Sequence, residues 1–219
     1  WNATGIKGSA WFSVACSADG NKVFAAPSGG NIQSSTNGGL TWTSFSNSAN
    51  WNAVACSADG NTVIAGASSG ALALTGSGVT SPSSGNWTAV ACSGDGSKLA
   101  AAISSTVYTS TNGGVSWRSS SLPGSCSALA AAASGLRLVA TYAGGIATST
   151  NFGSNWATTN PSTSTAWSCL AASSDCTRLV AGVNNGRLYA SANFGVSWTS
   201  LSATNQYWSG AAMSADGAK

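Results

Sequence analysis

One octapeptide pattern, Ser-x-Asn-x-Gly-x-x-Trp, constrains the fold of this chain more than any other feature. Its four copies run from Ser35 to Trp42, from Ser110 to Trp117, from Ser149 to Trp156 and from Ser191 to Trp198. Asn tolerates a left-handed backbone and hydrogen-bonds to nearby backbone groups, while Gly supplies a positive φ. The Trp side chain is expected to anchor the turn in a core. Each copy therefore predicts a β-turn with its own anchor.

A second pattern, Trp-x-x-Val-Ala-Cys-Ser-x-Asp-Gly, lies upstream of the octapeptide in each unit. It starts at Trp11, Trp51 and Trp87, and more loosely at Cys126, Trp167 and Trp208. These starts lie 40, 36, 39, 41 and 41 residues apart. That period is typical of four-stranded propeller blades and is wrong for helical repeats. The chain is therefore predicted to contain five whole repeats.

The first whole unit predicts four short strands. They are expected at residues 11–16, 22–26, 31–35 and 40–44, separated by an Asp-Gly turn, a Gly-rich turn and the octapeptide turn. The second unit has no octapeptide at residues 75–80, so its outer edge is expected to be reshaped. The fourth unit has Cys126 in place of the opening Trp and Ser134-Gly135 in place of Asp-Gly, and it is expected to be degraded.

The octapeptides resemble the Asp-box, or BNR, motif of β-propellers, usually written Ser-x-Asp-x-Gly-x-Thr-Trp. Asn stands here where that family prefers Asp, and only Thr41 keeps the usual Thr. The resemblance implies an all-β fold, a β-propeller of four-stranded blades, in which the motif is a structural turn and not a catalytic site. The residues that it marks as structural are Ser35, Asn37, Gly39, Trp42, Ser110, Asn112, Gly114, Trp117, Ser149, Asn151, Gly153, Trp156, Ser191, Asn193, Gly195 and Trp198.

The two ends of the sequence predict pieces of blades. Trp1 aligns with the octapeptide Trp residues, so residues 1–10 are expected to form an outer strand and a crossover, and residues 208–219 an inner strand with its turn. Either the two pieces share a sixth blade, or residues 1–219 are one propeller domain within a longer protein that has six or more blades. The longer protein is favoured because a terminus is not expected inside a turn.

Carboxylates are scarce and regularly placed. The five acidic residues are all Asp, no His is present, and charged residues make up 6% of the chain. A ring of acids could bind cations or perform acid-base chemistry, but the shared position beside Gly or another small residue favours ordinary turns. Equivalent positions on separate blades are expected to lie well over about 10 Å apart, too far for a catalytic carboxylate pair. These residues are Asp19, Asp59, Asp95, Asp175 and Asp216.

Catalysis is not expected. The Asp-box family includes sialidases, which use an Arg triad, a Tyr/Glu nucleophile pair and an Asp acid. This sequence has no Glu, and its four Arg residues occupy no common position of the repeat: Arg118, Arg137, Arg178 and Arg187. Without His, Ser-His chemistry lacks its base. We therefore expect no enzyme activity and no cofactor or metal.

The positive charges do not indicate a nucleic-acid partner. Eight Lys and Arg residues give a net charge of +3, but they are scattered singly, and nucleic-acid binding needs a basic patch. No stretch approaches the ~20 apolar residues of a spanning helix, so no membrane span is expected.

The six Cys residues fall into two groups. Cys16, Cys56 and Cys92 share one position of the inner strand, which predicts buried apolar thiols more than a metal site. Cys126, Cys169 and Cys176 break the repeat. A disulfide between Cys169 and Cys176 across one hairpin is the first candidate pairing, and it leaves Cys126 without an obvious partner.

Two sequons begin at Asn2 and Asn86, which are candidate N-glycosylation sites. With the low charge and the six Cys residues they favour a secreted or cell-surface protein. Nine of the ten Trp residues fall on two repeat positions, which favours packing over sugar binding. Phe152 and Phe194, which follow the octapeptide Asn, are expected to be exposed and to form a small apolar feature at the rim.

The function predicted from these observations is a non-enzymatic extracellular binding or structural module. Its loops and blade edges would contact proteins, polysaccharides or other copies of itself, in a surface or matrix assembly. One alternative is a carbohydrate-binding lectin, which requires exposed loop residues that repeat from blade to blade. Another, suggested by resemblance, is an assembly factor of a photosynthetic complex, which would present a basic docking face.

Overall fold

A computed structural model of the protein describes residues 10–76, 78–161, 166–201 and 204–219. Within these residues the structure consists of short strands joined by turns and loops. The strands are β1 (Trp11–Cys16), β2 (Val23–Pro27), β3 (Gln33–Ser35), β4 (Thr43–Ser44), β5 (Trp51–Cys56), β6 (Val63–Ala67), β7 (Ala73–Leu74), β8 (Trp87–Cys92), β9 (Leu99–Ile103), β10 (Thr106–Ser110), β11 (Arg118–Ser121), β12 (Cys126–Ala131), β13 (Leu138–Tyr142), β14 (Gly145–Ser149), β15 (Ala157–Thr159), β16 (Trp167–Ala172), β17 (Leu179–Val183), β18 (Leu188–Ser191) and β19 (Thr199–Ser200).

The strands form sheets in which chain neighbours pair. Four sheets have four strands each, β1 to β4, β8 to β11, β12 to β15 and β16 to β19, and β5 to β7 form a three-stranded sheet. Neighbouring strands in these sheets pair antiparallel, as between β1 and β2, β13 and β14, β17 and β18, and β6 and β7. This confirms the prediction of an all-β chain built from four-stranded blades. Among the described residues no helix is long and apolar enough to cross a membrane.

The strand bounds of the first unit differ from the prediction mainly at its outer edge. β1 has the predicted bounds, whereas β4 covers only Thr43–Ser44 instead of residues 40–44. The reason is that Thr41 and Trp42 belong to the turn: the Thr41 backbone N–H donates to Asn37 Oδ1, and the Trp42 indole donates to Gly39 O. Residues 40–42 are thus held by the turn.

A β-bulge follows the first residue of an inner strand in four of the blades. The pairing shifts between Trp11 and Ser13, and at the same place in β5, β12 and β16. A bulge redirects the residue at the strand end. In β5 the redirected Trp51 donates its indole N–H to Gly30 O of the preceding blade at 3.0 Å, and Trp87 does the same to Gly70 O at 3.0 Å.

The second unit has the reshaped outer edge that its sequence predicts. Its sheet has three strands among the described residues, and residues 78–80 lead to the next blade instead of forming a fourth. The Thr80 backbone N–H donates to Gly114 O at 2.9 Å, and Thr80 O accepts the Trp117 indole at 2.7 Å. The fourth unit, by contrast, keeps a complete sheet although Cys126 replaces Trp, so the expectation that it is degraded is wrong.

The prediction of an inner strand at residues 208–213 is also wrong. The turn that follows is formed, because Ser214 N donates to Lys219 O at 2.9 Å. Residues 208–213 themselves are not a strand, since among the described residues no second strand pairs with them and a ladder needs two. The outer strand expected at residues 1–10 lies outside the described residues, apart from Ala10.

The chain divides into two compact units, Trp1–Ala101 with Ser110–Trp117, and Ala102–Thr109 with Arg118–Lys219. Within each unit, apolar residues of one sheet pack against the next sheet. In the first unit this core contains Phe24, Ala26, Ile32, Trp51, Val54, Val63, Ala65 and Ala67. In the second it contains Ala132, Val139, Ile146, Trp167, Cys176, Leu179, Ala181 and Val183.

Small residues allow the sheets to approach closely. A Cβ atom added to Gly66 would lie 2.6 Å from Trp87 Cβ, which is closer than two carbon atoms pack. Gly66 lies on β6 and faces the inner strand of the next blade. The Gly at this position is thus required by the packing of the neighbouring blade.

We expect Gly66→Ala to lower the free energy of unfolding by about 1–3 kcal/mol, because the added methyl overpacks the contact with Trp87. Chemical denaturation measures the change. Gly210→Ala is the matched control, since nothing lies within 4 Å of its Cβ position, and it should change stability by no more than about 0.5 kcal/mol. Equal effects of the two substitutions would contradict the packing account.

Candidate functional site

The five Asp residues occupy one type of turn. In the first, the Ser17 hydroxyl donates to Asp19 Oδ1 at 2.5 Å, and the Asn21 backbone N–H donates to the same oxygen at 3.0 Å. Ser17 Oγ also accepts the backbone N–H of Lys22 at 3.0 Å. The hydroxyl bond recurs at 2.5, 2.6, 2.7 and 2.6 Å in the other turns, in the pairs Ser57–Asp59, Ser93–Asp95, Ser173–Asp175 and Ser214–Asp216.

These hydrogen bonds favour the ionised carboxylate. The Ser hydroxyl is the largest cause that lowers each Asp pKa, followed by the hydrogen bonds of the residue two positions later. The pKa falls to about 2 at Asp95 and at Asp175. A carboxylate of this kind holds no proton near neutral pH, so it is unsuited to act as a general acid.

Neighbouring Asp turns are joined through their backbones. Ala18 N donates to Ala58 O at 2.8 Å, and Ala58 N donates to Gly94 O at 2.8 Å. In the second unit Ala133 N donates to Ser174 O at 2.7 Å, and Ser174 N donates to Ala215 O at 2.8 Å. The expected wide separation of these turns is therefore wrong for their backbones. Among the described residues no group of three or more His, Cys, Asp or Glu side chains is arranged to hold a metal ion.

The octapeptides form a second type of turn with related bonds. Ser110 Oγ donates to Asn112 Oδ1 at 2.9 Å and accepts the Gly114 backbone N–H at 2.8 Å. Asn112 Oδ1 also accepts the backbone N–H of Ser116 at 2.9 Å, and Asn112 Nδ2 donates to Ser116 Oγ at 2.9 Å. The Ser-to-Asn bond and both backbone bonds recur in the turns that begin at Ser35, Ser149 and Ser191.

The octapeptide Trp residues contact more than their own turns. All four are half-buried, and Trp198 packs against the core of the second unit, as the sequence predicts. Three of them also contact the preceding blade: the Trp117 indole donates to Thr80 O at 2.7 Å, the Trp156 indole donates to Ser120 Oγ at 3.0 Å, and the Trp198 indole donates to Thr159 Oγ1 at 3.3 Å. These half-buried rings therefore join two blades.

The two turn types of one blade touch each other, a contact that sequence reasoning missed. The residue after the octapeptide Asn donates its N–H to the Asp-type turn: Gly38 to Asn21 O at 2.8 Å, and Phe152 to Leu136 O at 3.0 Å. The side chain of Phe152 is 5% exposed. The expectation of an exposed Phe152 is thus wrong. Phe194 is half-buried beneath the Arg137 guanidinium, whose Cζ lies 4.8 Å from the ring centroid.

None of the six Cys residues forms a disulfide, so the prediction of a bridge from Cys169 to Cys176 is wrong. The register places Gly182 opposite Cys169. Cys176 instead occupies the turn position that Gly fills in other blades, at φ 59°. Burial raises the pKa of the Cys126 and Cys176 thiols to about 12.

The expected burial of the repeated thiols is only partly found. Cys16 is exposed, and Cys56 and Cys92 are half-buried. Four of the six residues of β1 are exposed, whereas every residue of β5 and β8 is buried or half-buried. Desolvation nevertheless raises the pKa of the Cys56 thiol to about 11 and that of the Cys92 thiol to about 12.

The remaining candidate residues do not converge on one place. Arg118 is exposed on β11, whereas Arg137 donates to Asp175 O at 3.0 Å. Asn86 is exposed, and its side-chain oxygen accepts a hydrogen bond from Asn52 Nδ2 at 2.9 Å. The other sequon residue, Asn2, lies outside the described residues.

Comparisons with known proteins support this fold. In total, 1238 chains of solved structures are similar to this chain. One is the crystal structure of an ancestral GH74 enzyme, with a TM-score of 0.74 and 20% sequence identity over 92% of this chain. The chain spans 32% of that protein. No protein-family profile and no curated protein matches the sequence.

At 20% identity the likeness shows the fold alone. Together with the repeated antiparallel sheets, it defines the class of the protein: an all-β fold made of β-propeller blades. Fold class does not fix chemistry, because one fold carries many functions.

We expect Ser110→Ala to destabilise the protein by about 1–3 kcal/mol, because the Gly114 N–H and Asn112 Oδ1 lose a buried partner. Thr111→Ala changes the exposed neighbour in the same turn and should stay within about 0.5 kcal/mol. Urea unfolding of both variants tests this. A similar loss of stability in both variants would contradict the role assigned to the Ser110 hydroxyl.

Stability should fall as the pH drops from about 4 towards 2. The folded Asp pKa values are lowered, so the stabilisation is present above the unfolded pKa of about 3.9 and is lost as the pH falls through the folded value. Urea midpoints measured across this range should decline less steeply for Asp95→Asn. If the urea midpoint of Asp95→Asn declined with pH as steeply as that of the parent protein, the role of this carboxylate would be contradicted.

A thiol reagent should label Cys16 rapidly in the native protein and label Cys126 and Cys176 slowly, since buried protonated thiols react poorly. After denaturation without reductant, all six Cys residues should be labelled. Mass spectrometry counts the labels. Only four labels would indicate a disulfide.

Proposed function

We propose that this protein is a non-enzymatic extracellular module that binds protein or polysaccharide partners, or other copies of itself, through propeller loops and blade edges. The observation that carries the proposal is the state of the carboxylates. Each Asp is engaged by the Ser two residues before it and by a backbone N–H. A sequence with five Asp, no Glu and no His thus uses its acids for turns, which leaves no free pair for hydrolysis.

We further propose that the octapeptide turns are Asp-box turns in which Asn replaces Asp. The support is geometric. Asn112 Oδ1 accepts the Ser110 hydroxyl and the Ser116 N–H, bonds that a carboxylate oxygen would accept equally well. Asn adds a donor, Nδ2, which is used by the hydroxyl four residues later.

The outer edges of the blades supply the binding surface in this proposal. β4, β11, β15 and β19 consist mainly of Ser and Thr, and most of their residues are exposed. Their hydroxyl groups and backbone edges can hydrogen-bond to an extended polymer, either polypeptide or polysaccharide. Low charge suits contacts among many copies, because it limits repulsion. An extracellular location is supported by the exposed Asn86 of a sequon.

A carbohydrate-binding lectin is the second candidate. Phe12 is 63% exposed and Tyr207 is 76% exposed, and aromatic rings of this kind can stack on sugars. The likeness to a GH74 enzyme, a glycoside hydrolase, is compatible with carbohydrate as a ligand.

One experiment separates these functions. The purified protein is incubated with a panel of insoluble polysaccharides, and both the bound protein and the released reducing ends are measured. The module and the lectin predict no release above that of heat-inactivated protein. Release that depends on an Asp side chain would overturn the non-enzymatic proposal.

The same panel distinguishes the lectin. Binding that soluble oligosaccharides inhibit, and that Tyr207→Ala or Phe12→Ser weakens while Ser209→Ala does not, would favour the lectin. Insensitivity to free sugars, with binding to protein surfaces, would favour the module. Intact mass before and after deglycosylation reports whether Asn86 carries a glycan.

A further inference from the structure

The charged residues gather at one end of each blade, which we call the turn end because the Asp-type turn and the octapeptide turn lie there. The chain has eight Lys and Arg residues and five Asp residues. Every Asp lies in an Asp-type turn, and five of the eight cations close a turn of the same position, since their carbonyl oxygens accept the N–H of the residue that opens it. The expectation that the Arg residues share no repeat position is thus wrong for two of them. The five cations are Lys22, Lys98, Arg137, Arg178 and Lys219.

In the second compact unit these charges alternate in sign from one turn to the next. Arg137 reaches the following turn, where its Nη1 donates to Asp175 O at 3.0 Å. Arg178 likewise crosses the turn after its own, because a Cβ atom added to Gly217 would lie 2.9 Å from Arg178 Cβ. In the first unit the alternation is broken, because Thr62 stands at the position of the cation. The row of the second unit runs Arg137, Asp175, Arg178, Asp216, Lys219.

The charges of this row reach solvent. The side chains of Asp175, Arg178 and Asp216 are exposed. Hydrogen bonds from Ser173 and Thr177 lower the pKa of Asp175 to about 2, so its carboxylate is ionised at neutral pH. Covering an unpaired charge costs free energy, because the charge loses its hydration. A partner that covers this row must therefore compensate both signs.

Exposed aliphatic side chains lie beside the row. Val196 follows the Gly of its octapeptide and is 76% exposed, and Leu136 precedes Arg137 and is 57% exposed. The turns that carry them are in contact, because the Phe194 N–H donates to Thr177 O at 2.8 Å and the Arg137 guanidinium lies over the Phe194 ring. Apolar side chains with polar and charged neighbours are typical of a protein–protein interface.

The alternation of signs limits the choice of partner. A polyanion or a polycation would meet a like charge at every second position of the row, which costs free energy. An uncharged polysaccharide would cover the row without supplying any counter-charge. A partner whose charges alternate at the spacing of the blades compensates each position. The same surface of a second copy has that spacing by construction.

We propose that the turn end of the second unit binds the same surface of a second copy of this chain, around a two-fold axis between Asp175 and Arg178. Asp175 of each copy then faces Arg178 of the other, and Arg137 faces Asp216. Each contact occurs twice, as in any isologous interface. The inference rests on the proposed function and deepens it, because it names the surface through which the module contacts other copies of itself.

The test is sedimentation equilibrium of the whole protein at concentrations from about 10 μM to about 1 mM. A monomer–dimer equilibrium is expected in about 20 mM NaCl. The dissociation constant should rise at least about tenfold in about 500 mM NaCl, because salt screens exposed charges.

Two pairs of substitutions locate the surface. Arg178→Glu places like charges opposite each other twice per dimer and should raise the dissociation constant at least about tenfold. Arg187→Glu makes the same change of charge at the opposite end of the same blade, where Arg187 is exposed, and should associate like the parent. Val196→Ser should raise the dissociation constant about fivefold or more, whereas Leu201→Ser, at a side chain that is 56% exposed beyond β19, should not.

Urea midpoints verify that each variant is folded, and Val196→Ser keeps the test valid if Arg178→Glu is not. Any of four results would overturn the inference. They are a protein that stays monomeric at about 1 mM in about 20 mM NaCl, association that salt leaves unchanged, association that both turn-end variants leave unchanged, and association that the controls weaken equally.

The fate of the proposed function is read separately. If the inference fails but the protein still binds a polysaccharide or another protein, the proposed function stands. If reducing ends are released in dependence on an Asp side chain, the proposed function fails whatever the oligomeric state.

Discussion

The structure depends on a serine hydroxyl that organises a turn from its first residue. In both turn types Ser Oγ donates to the side-chain oxygen two residues later and accepts a backbone N–H further along. The hydroxyl thereby satisfies groups that a tight turn would otherwise leave without partners. Because the two turns of one blade also touch, each blade end is a network of short polar bonds in a protein with few charges.

Whether a turn carries Asp or Asn follows from the atoms that contact the second terminal atom of the side chain, which is Oδ2 in Asp and Nδ2 in Asn. In the Asp-type turns Oδ2 meets donors, such as Asn21 Nδ2 and the Ser97 hydroxyl. In three octapeptide turns Nδ2 meets a hydroxyl oxygen, that of Thr41, Ser116 or Ser197. A carboxylate suits the first environment and an amide suits the second. The distribution of acids thus follows the hydrogen bonding of the two turn types.

Periodicity was enough to predict the blades, because a repeat of about 40 residues with two turn signatures is compatible with few folds. It could not predict contacts between repeats. Trp198 packs against the core, as its repeat position predicts, but its hydrogen bond to Thr159 of the preceding blade could not be read from its own repeat. The free Cys169 and Cys176 show the same limit, since their separation in sequence is short but the register places Gly182 opposite Cys169. Of the candidate site, the turn residues could be identified from sequence, whereas the backbone bonds between neighbouring turns could not.

The backbone bonds between Asp-type turns have a consequence for how such a chain can change. The linked residues are Ala18, Ala58 and Gly94 in one unit and Ala133, Ser174 and Ala215 in the other. The bonds themselves use only main-chain atoms, so they do not depend on which side chains the linked residues carry, except that proline lacks the N–H. Side chains add contacts beside them, since Lys22 Nζ donates to Asn61 Oδ1 at 2.5 Å and Arg137 donates to Asp175 O at 3.0 Å. A repeat could therefore be replaced by another and keep the backbone bonds to its neighbours, while the side-chain contacts beside those bonds would change with the sequence.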